Sequence, residues 1–332
     1  MSVHRMTTRV RAAVALLIVA VAATAAGCGS STSDQPGESG TRQVQTAKGV
    51  VTVPAAPQRI VVVNGALAGY LYDLGVKVKA ADPRLLGVTL QPGEFPAAWA
   101  ADAKQQGTEV VPSGDSMNLE FIAAKQPDLI IGGGPGYPGQ QSINDYDKLT
   151  AIAPTALVPS NSTNWQDQLK SVADIVNQSA KVDGLITSYN DKVAKVKAGI
   201  KVPQGATAVM QSRKDNKPTL IAPNTLLATL LSSVGITMDD KVEAKAGNPA
   251  RPAAGDWVTF SPELLSTVVD APVLFVIMVD GGRNIAQLKE DPMLAQLPAF
   301  RAGQVYDLPA TSLRPDYRGA MATLDLLAER FR

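Results

Sequence analysis

Short β-branched runs alternate with stretches of helical period along most of this chain. The first run is Ile60-Val-Val-Val63, followed by apolar positions Leu67, Tyr70, Leu71 and Leu74 at helical spacing, closed by Gly75. The pattern predicts a strand over 76–81, a helix over 118–126, a strand over 129–131, a helix over 142–153 and a strand over 155–158. A second series starts after residue 200: a strand over 207–210, a helix over 226–234, a strand over 273–279, a helix over 285–297 and a strand over 305–308. A last helix runs from Asp316, with Tyr317, Ala320, Met321, Leu324, Leu327, Ala328 and Phe331 on one face, the spacing of a core-facing amphipathic helix. Strand-helix-strand repetition of this kind predicts mostly parallel sheets covered by helices.

Between the two series lies a long helical stretch. Trp165, Leu169, Val172 and Val176 keep helical spacing, Asn177-Gln-Ser179 interrupts, and Leu185, Ile186, Tyr189, Val193 and Val196 resume it. Ser179 is placed to cap the second segment, and a helix from there to Ala198 measures about 30 Å, enough to cross the back of two lobes. The fold class is therefore α/β: two Rossmann-like lobes with mostly parallel sheets, joined by one long helix, with a ligand cleft between them. A single rigid connection of this kind permits tilting of a few degrees and resists wide hinge closure.

The amino terminus changes the picture of where the protein works. Arg5, Arg9 and Arg11 precede residues 12–26, an apolar run of 15 residues, shorter than the roughly 20 that a bilayer core requires. A basic start, a short apolar core and small residues after it read as a secretory signal. The run ends Ala25-Ala-Gly-Cys28, which resembles a bacterial lipobox, although Ala25 stands where that motif usually has Leu. The resemblance implies that Cys28 is lipidated and becomes the first residue; an ordinary cleaved signal with a free cysteine is the alternative. The next 14 residues, 29–42, hold no aliphatic or aromatic side chain and so predict a flexible tether. The expected organisation is a signal peptide over 1–27, a lipidated tether over 28–43, an N-terminal lobe over 44–163, a linking helical segment over 164–200 and a C-terminal lobe over 201–332.

Composition then removes whole classes of chemistry. Cys28 is the only cysteine and His4 the only histidine in 332 residues. The exported body therefore offers no Ser-His-Asp triad, cysteine-histidine zinc site, axial histidine or disulfide, and the commonest general acid/base is missing. Loss of the signal takes Lys+Arg from 31 to 28 against 30 Asp+Glu, so no net charge draws the body to nucleic acid. A binding protein, not an enzyme, is the reading, with no resident cofactor or metal.

Several segments carry a family resemblance. Pro57-Gln-Arg-Ile-Val-Val-Val63, Asn118-Leu-Glu-Phe-Ile-Ala-Ala-Lys-Gln-Pro-Asp-Leu-Ile-Ile131 and the inter-lobe helix resemble the helical-backbone periplasmic binding proteins that serve ABC importers of ferric siderophores, haem and cobalamin. The closing stretch is more specific. Asp291-Pro-Met-Leu-Ala-Gln-Leu-Pro298, Gly303-Gln-Val-Tyr-Asp-Leu308 and Leu313-Arg-Pro-Asp-Tyr-Arg-Gly-Ala-Met-Ala-Thr-Leu-Asp325 resemble the ferric-enterobactin-binding branch. The resemblance covers residues 44–331. It implies a monomer lipid-anchored outside the cytoplasmic membrane, capturing a ferric siderophore, most readily a catecholate, for an ABC permease and its ATPase; iron enters only within the ligand.

Ligands of open α/β lobes sit beyond the carboxyl ends of strands. A ferric tris-catecholate is anionic and aromatic at its edges, and arginine offers both charge and a flat face. The candidate ligand residues are Arg84, Arg213, Arg283 and Arg314 on four such loops, with Tyr137 and Trp257 as aromatic surfaces. The branch has a tryptophan in the loop corresponding to Leu220-Ile-Ala-Pro223, and this sequence has none there; Trp257 or Tyr137 is its candidate substitute. The resemblance also implies permease docking through Glu120 and Glu263, one at the head of a helix in each lobe, as in the cobalamin-binding relatives. A glutamate there also stabilises the helix on its own through the dipole.

Two other functions fit parts of the sequence. Haem or corrinoid capture keeps the same fold, with Tyr70, Tyr72 or Tyr137 as possible haem ligands. A secreted NAD(P)-dependent oxidoreductase would use Gly134-Pro-Gly-Tyr-Pro-Gly139, which spells a dinucleotide fingerprint. Pro138 argues against helix at Tyr137, so the segment is expected to be a flexible ligand loop instead.

Overall fold

The computed structural model describes residues 40–112, 114, 116–160, 164–251 and 256–332. The expected signal peptide, Cys28 and most of the expected tether lie outside the described residues. The folded body begins earlier than residue 44: β1 (Thr41–Thr46) pairs antiparallel with β2 (Gly49–Pro54), in register from Thr41 opposite Pro54 to Thr46 opposite Gly49. Residues 41–43 are thus strand, not tether. Val44 and Val53 turn inward and are buried, and Arg42 pairs with Asp174 at 3.3 Å.

The N-terminal lobe is a five-stranded sheet of β3 (Ile60–Val62), β4 (Val78–Ala81), β5 (Glu109–Val110), β6 (Leu129–Gly133) and β7 (Thr155–Val158). Its order is β5-β4-β3-β6-β7, parallel throughout. The C-terminal lobe contains β8 (Thr207–Ser212), β9 (Thr219–Ile221), β10 (Trp257–Thr259), β11 (Val273–Met278) and β12 (Val305–Leu308), ordered β10-β9-β8-β11-β12. Only β9 runs against its neighbours. Numbered within each lobe, both sheets have the order 3-2-1-4-5. β3, β6 and β7 are buried along their whole length, as central strands covered on both faces must be.

The connecting helix is Val182–Gly199, 18 residues or about 27 Å. Ser179 does not cap it: residues Ser179–Lys181 form a 3₁₀ turn, and the cap position falls on Lys181 without a side-chain bond. The interruption before it is real, with Asn177 in the left-handed region at φ 57°. The last helix, Tyr317–Arg330, starts where expected, Asp316 accepting a hydrogen bond from the Gly319 amide at 2.7 Å.

Two helices differ from expectation. The predicted 285–297 helix is broken into Ile285–Lys289, Pro292–Ala295 and Pro298–Ala302, each proline opening a new segment. The predicted 142–153 helix begins earlier, as Gly136–Asn144, and restarts as Tyr146–Thr150. Pro138 sits in its first turn, where an N–H has no intrahelical acceptor to lose. Tyr137 is therefore helical, not part of a flexible loop.

One cluster of buried side chains runs through both lobes, from Ile60 and Leu71 through Val182 and Tyr189 to Phe275 and Leu324. Arg318, from the closing helix, reaches back to Asp73 at 2.7 Å and Asp102 at 2.5 Å in the other lobe. Lys192 of the connecting helix pairs with Asp325 of the closing helix. The lobes are held by a shared core as well as by one helix.

Candidate functional site

A cavity of about 1450 Å³ lies between the lobes. The loops after β3, β4 and β6 supply Asn64, Arg84 and residues 134–138, and the opposite wall carries Thr225, Arg251, Asp256, Trp257, Asp280 and Arg314. Asn64 caps the helix Gly65–Asp73 through its side-chain oxygen, and its amide donates to the Gly133 and Pro135 carbonyls at 2.6 and 3.0 Å. That bond network fixes two cleft loops to one another.

Of the six candidate ligand residues, four come together. Arg84, Tyr137, Trp257 and Arg314 all line the cavity. Arg84 is gripped by buried Asp82, its Nε 3.0 Å from both carboxylate oxygens, and also donates to Gln141 at 2.6 Å and the Gly114 carbonyl at 3.1 Å. Its guanidinium lies 5.8 Å from the ring centre of Tyr137, which is 59% exposed and stands in the opening turn of its helix. Arg314 crosses the cavity wall to pair with Asp256. Burial pushes the Asp256 carboxyl upward, against the pull of Arg314 and Arg251.

Arg213 and Arg283 stand outside the lining. Arg213 belongs to the turn between β8 and β9, where Asp215 holds it at 3.3 Å. Arg283 is drawn away by Asp291 at 3.1 Å, the residue that caps helix Pro292–Ala295, and Asp280 of the same loop faces the cavity instead. Arg251 stands in the cavity wall where neither of them does. It lines the cavity, donates from Nε to Glu243 at 2.6 Å, and lowers that carboxyl through the hydrogen bond. Arg251 escaped notice because it precedes β10, a three-residue strand with no periodic signal.

Each cleft arginine thus arrives with a carboxylate partner. The site is a set of oriented guanidinium groups beside two aromatic rings, not a row of free cations. An anion entering it competes with Asp82, Glu243 and Asp256. Among the described residues no group of three His, Cys, Asp or Glu side chains is placed to hold a metal ion.

Glu120 lies exposed in the first turn of helix Leu119–Ala124, capped by Asn118. Glu263 lies exposed in the 3₁₀ turn Pro262–Leu264, accepting a hydrogen bond from Ser261. The first leads into β6 and the second into β11, the fourth strand of each lobe. Their positions in the two lobes are topologically equivalent.

The Gly134-x-Gly-x-x-Gly139 segment does form a strand-turn-helix. Gly133, Gly134 and Gly136 have positive φ, and a Cβ on Gly139 would lie 2.3 Å from the Gly134 carbonyl oxygen. Its glycines serve close packing of helix on strand, which any such turn requires, so the earlier objection from Pro138 does not hold. The rest of the architecture decides the class.

Two lobes of equal strand order, one spanning helix and a walled cleft between them define a two-lobed solute receptor. Residues 60–311 match the Periplasmic binding protein family, and the chain belongs to it. It is accordingly a member of a family of extracytoplasmic solute-binding proteins rather than an enzyme. It is 28% identical over 295 residues to the ferric enterobactin-binding periplasmic protein FepB of Escherichia coli O6:H1, covering 87% of this chain and 91% of that protein. It is 25% identical over 328 residues to the putative ABC transporter substrate-binding lipoprotein YhfQ of Bacillus subtilis, covering 94% and 95%. The crystal structure of holo-ViuP superposes with a TM-score of 0.73 at 24% identity, covering 87% and 95%. No helix among the described residues is long and apolar enough to cross a membrane.

Proposed function

We propose that the cleft captures a ferric siderophore of catecholate type and delivers it to an ABC permease, with the protein tethered by a lipid on Cys28 to the outer face of the cytoplasmic membrane. The observation that carries the reading is the grouping of Arg84, Arg251 and Arg314 with Tyr137 and Trp257 around one cavity of about 1450 Å³. The Escherichia coli relative, a ferric enterobactin-binding protein, supports the same ligand class. The chelate's iron is already saturated by its own oxygens, so the protein supplies charge and flat surfaces and no metal ligand. Its anionic oxygens take guanidinium donors from Asp256 and its neighbours, while the rings stack on Tyr137 and Trp257. Glu120 and Glu263 then present one carboxylate per lobe to permease arginines.

Titration of the intrinsic tryptophan fluorescence tests this, because Trp257 stands in the cavity wall. Ferric enterobactin should quench it saturably, while haemin and NADH should not. Quenching by haemin or NADH without a response to the ferric catecholate would overturn the reading.

A further inference from the structure

A second cavity, of about 1360 Å³, borders the segment 87–98 beside the cleft. Val88, Pro96 and Ala97 form its N-lobe wall; Met278, Ile285 and Leu326 form much of the other. Three of the polar side chains around it are committed elsewhere. Arg318 donates to Asp73, Asp102 and the Ala98 carbonyl. Asp307 pairs with Arg330 at 2.8 Å, and Asn284 is used in a capping box with Gln287. Met278 is 51% exposed, although the other five residues of β11 are buried. Thr89, Asp280 and Thr311 also line it, and the rest of the surface is mostly aliphatic.

This cavity adjoins the cleft. Gly87, Val88, Ala98, Asp280, Ala310 and Thr311 line both. At the junction Gly87 has a φ of 72°, and a Cβ there would lie 2.6 Å from Val279 Cγ1. An occupant of the second cavity therefore shares walls with the ligand of the first, and the chemistry available to it is burial of hydrocarbon.

We propose that the natural ligand is amphiphilic: an anionic chelating head fills the arginine-lined cleft, and a covalently attached acyl chain lies in the adjoining apolar cavity. The proposal rests on the siderophore reading above and narrows it to acylated chelators. A plain head group would leave the aliphatic walls and Met278 facing water.

The test compares two probes, a ferric tris-catecholate and the same chelate carrying one dodecanoyl chain, on the wild-type protein and on Ala286→Trp and Ala322→Trp. Both alanines are exposed and line only the second cavity, so the indole fills that space without disturbing the core. The acylated probe should bind wild type at least tenfold more tightly, a gain of about 1.4 kcal/mol. Either tryptophan should remove that gain and leave the affinity for the plain chelate within threefold of wild type. Equal affinities for the two probes in wild type, or a gain that survives both substitutions, would overturn the acyl assignment while leaving the cleft reading intact. Failure of wild type to bind either probe would overturn the cleft reading instead.

Discussion

Carboxylates set the terms on which an anion enters the cleft. Arg314 is oriented by Asp256, whose carboxyl is pushed up by burial. A ligand oxygen that takes over the guanidinium leaves Asp256 buried without its main cation, and a proton relieves that. Arg314→Ala should weaken ferric-catecholate binding about ten- to a hundred-fold, the loss of one charge-assisted contact in a partly dry site. Asp256→Asn should act oppositely, tightening binding several-fold and flattening the gain in affinity expected as pH falls from 7 to 5. Titrations at both pH values, with thermal melts to confirm folding, check the pair. A second carboxylate bears on stability. Asp73 sits under Arg318, yet burial, aided by nearby Asp316 and Asp102, raises its carboxyl to about 6. Between the ordinary carboxylate range and about pH 6 the folded protein holds more protons than the unfolded chain, so stability falls as pH rises through that window. Burial raises Asp316 in the same direction. The urea midpoint should be higher at pH 5 than at pH 7, and Asp73→Asn should shrink the difference.

The elements that present these residues depend on a few close approaches. In the turn from β6 into helix Gly136–Asn144, a Cβ on Gly139 would press on two backbone carbonyls, at 2.3 and 2.7 Å. Neither can move like a side chain, so Gly139→Ala should cost about 1–3 kcal/mol in urea unfolding and weaken ligand binding by displacing Tyr137. Gly184, within the connecting helix, has nothing within 4 Å, and Gly184→Ala should stabilise by about 0.5–1 kcal/mol. The same contrast between local pattern and packing separates what could be read in advance from what could not. β3 and β6 announce themselves as unbroken apolar runs, and helix Tyr317–Arg330 by its helical period. β1, with Val44 as its only aliphatic residue, and the three-residue β9 and β10 do not, since pairing alone makes them strands. With β10 unseen, Arg251 had no strand end to belong to. Arg84, Tyr137, Trp257 and Arg314 were legible as cleft residues; Arg213 and Arg283 were misplaced because Asp215 and Asp291 capture them locally. Pro292 and Pro298 each restart a helix that apolar spacing alone would continue.

At the scale of the molecule, the shared 3-2-1-4-5 order gives Glu120 and Glu263 matching stations ahead of the fourth strands. Alanine at both should leave chelate affinity near wild type and abolish uptake in cells at normal protein level. Uptake surviving the double substitution would reduce both residues to helix-end stabilisers. Cys28→Ala should release the protein from the membrane fraction, which fractionation and immunoblotting of cells would show.

The tie between the lobes has a consequence for traffic at the importer. A buried cluster common to both lobes, Arg318 clasping Asp73 and Asp102, and a connecting helix of 18 residues leave little room for a large change of shape on loading. Empty and filled receptors then offer nearly the same docking face. On the proposed delivery to an ABC permease, empty copies would compete with loaded ones for it, and only the cargo's own exposed surface, or a tilt of a few degrees, would mark a productive visit. Raising receptor abundance without raising siderophore should slow import rather than speed it.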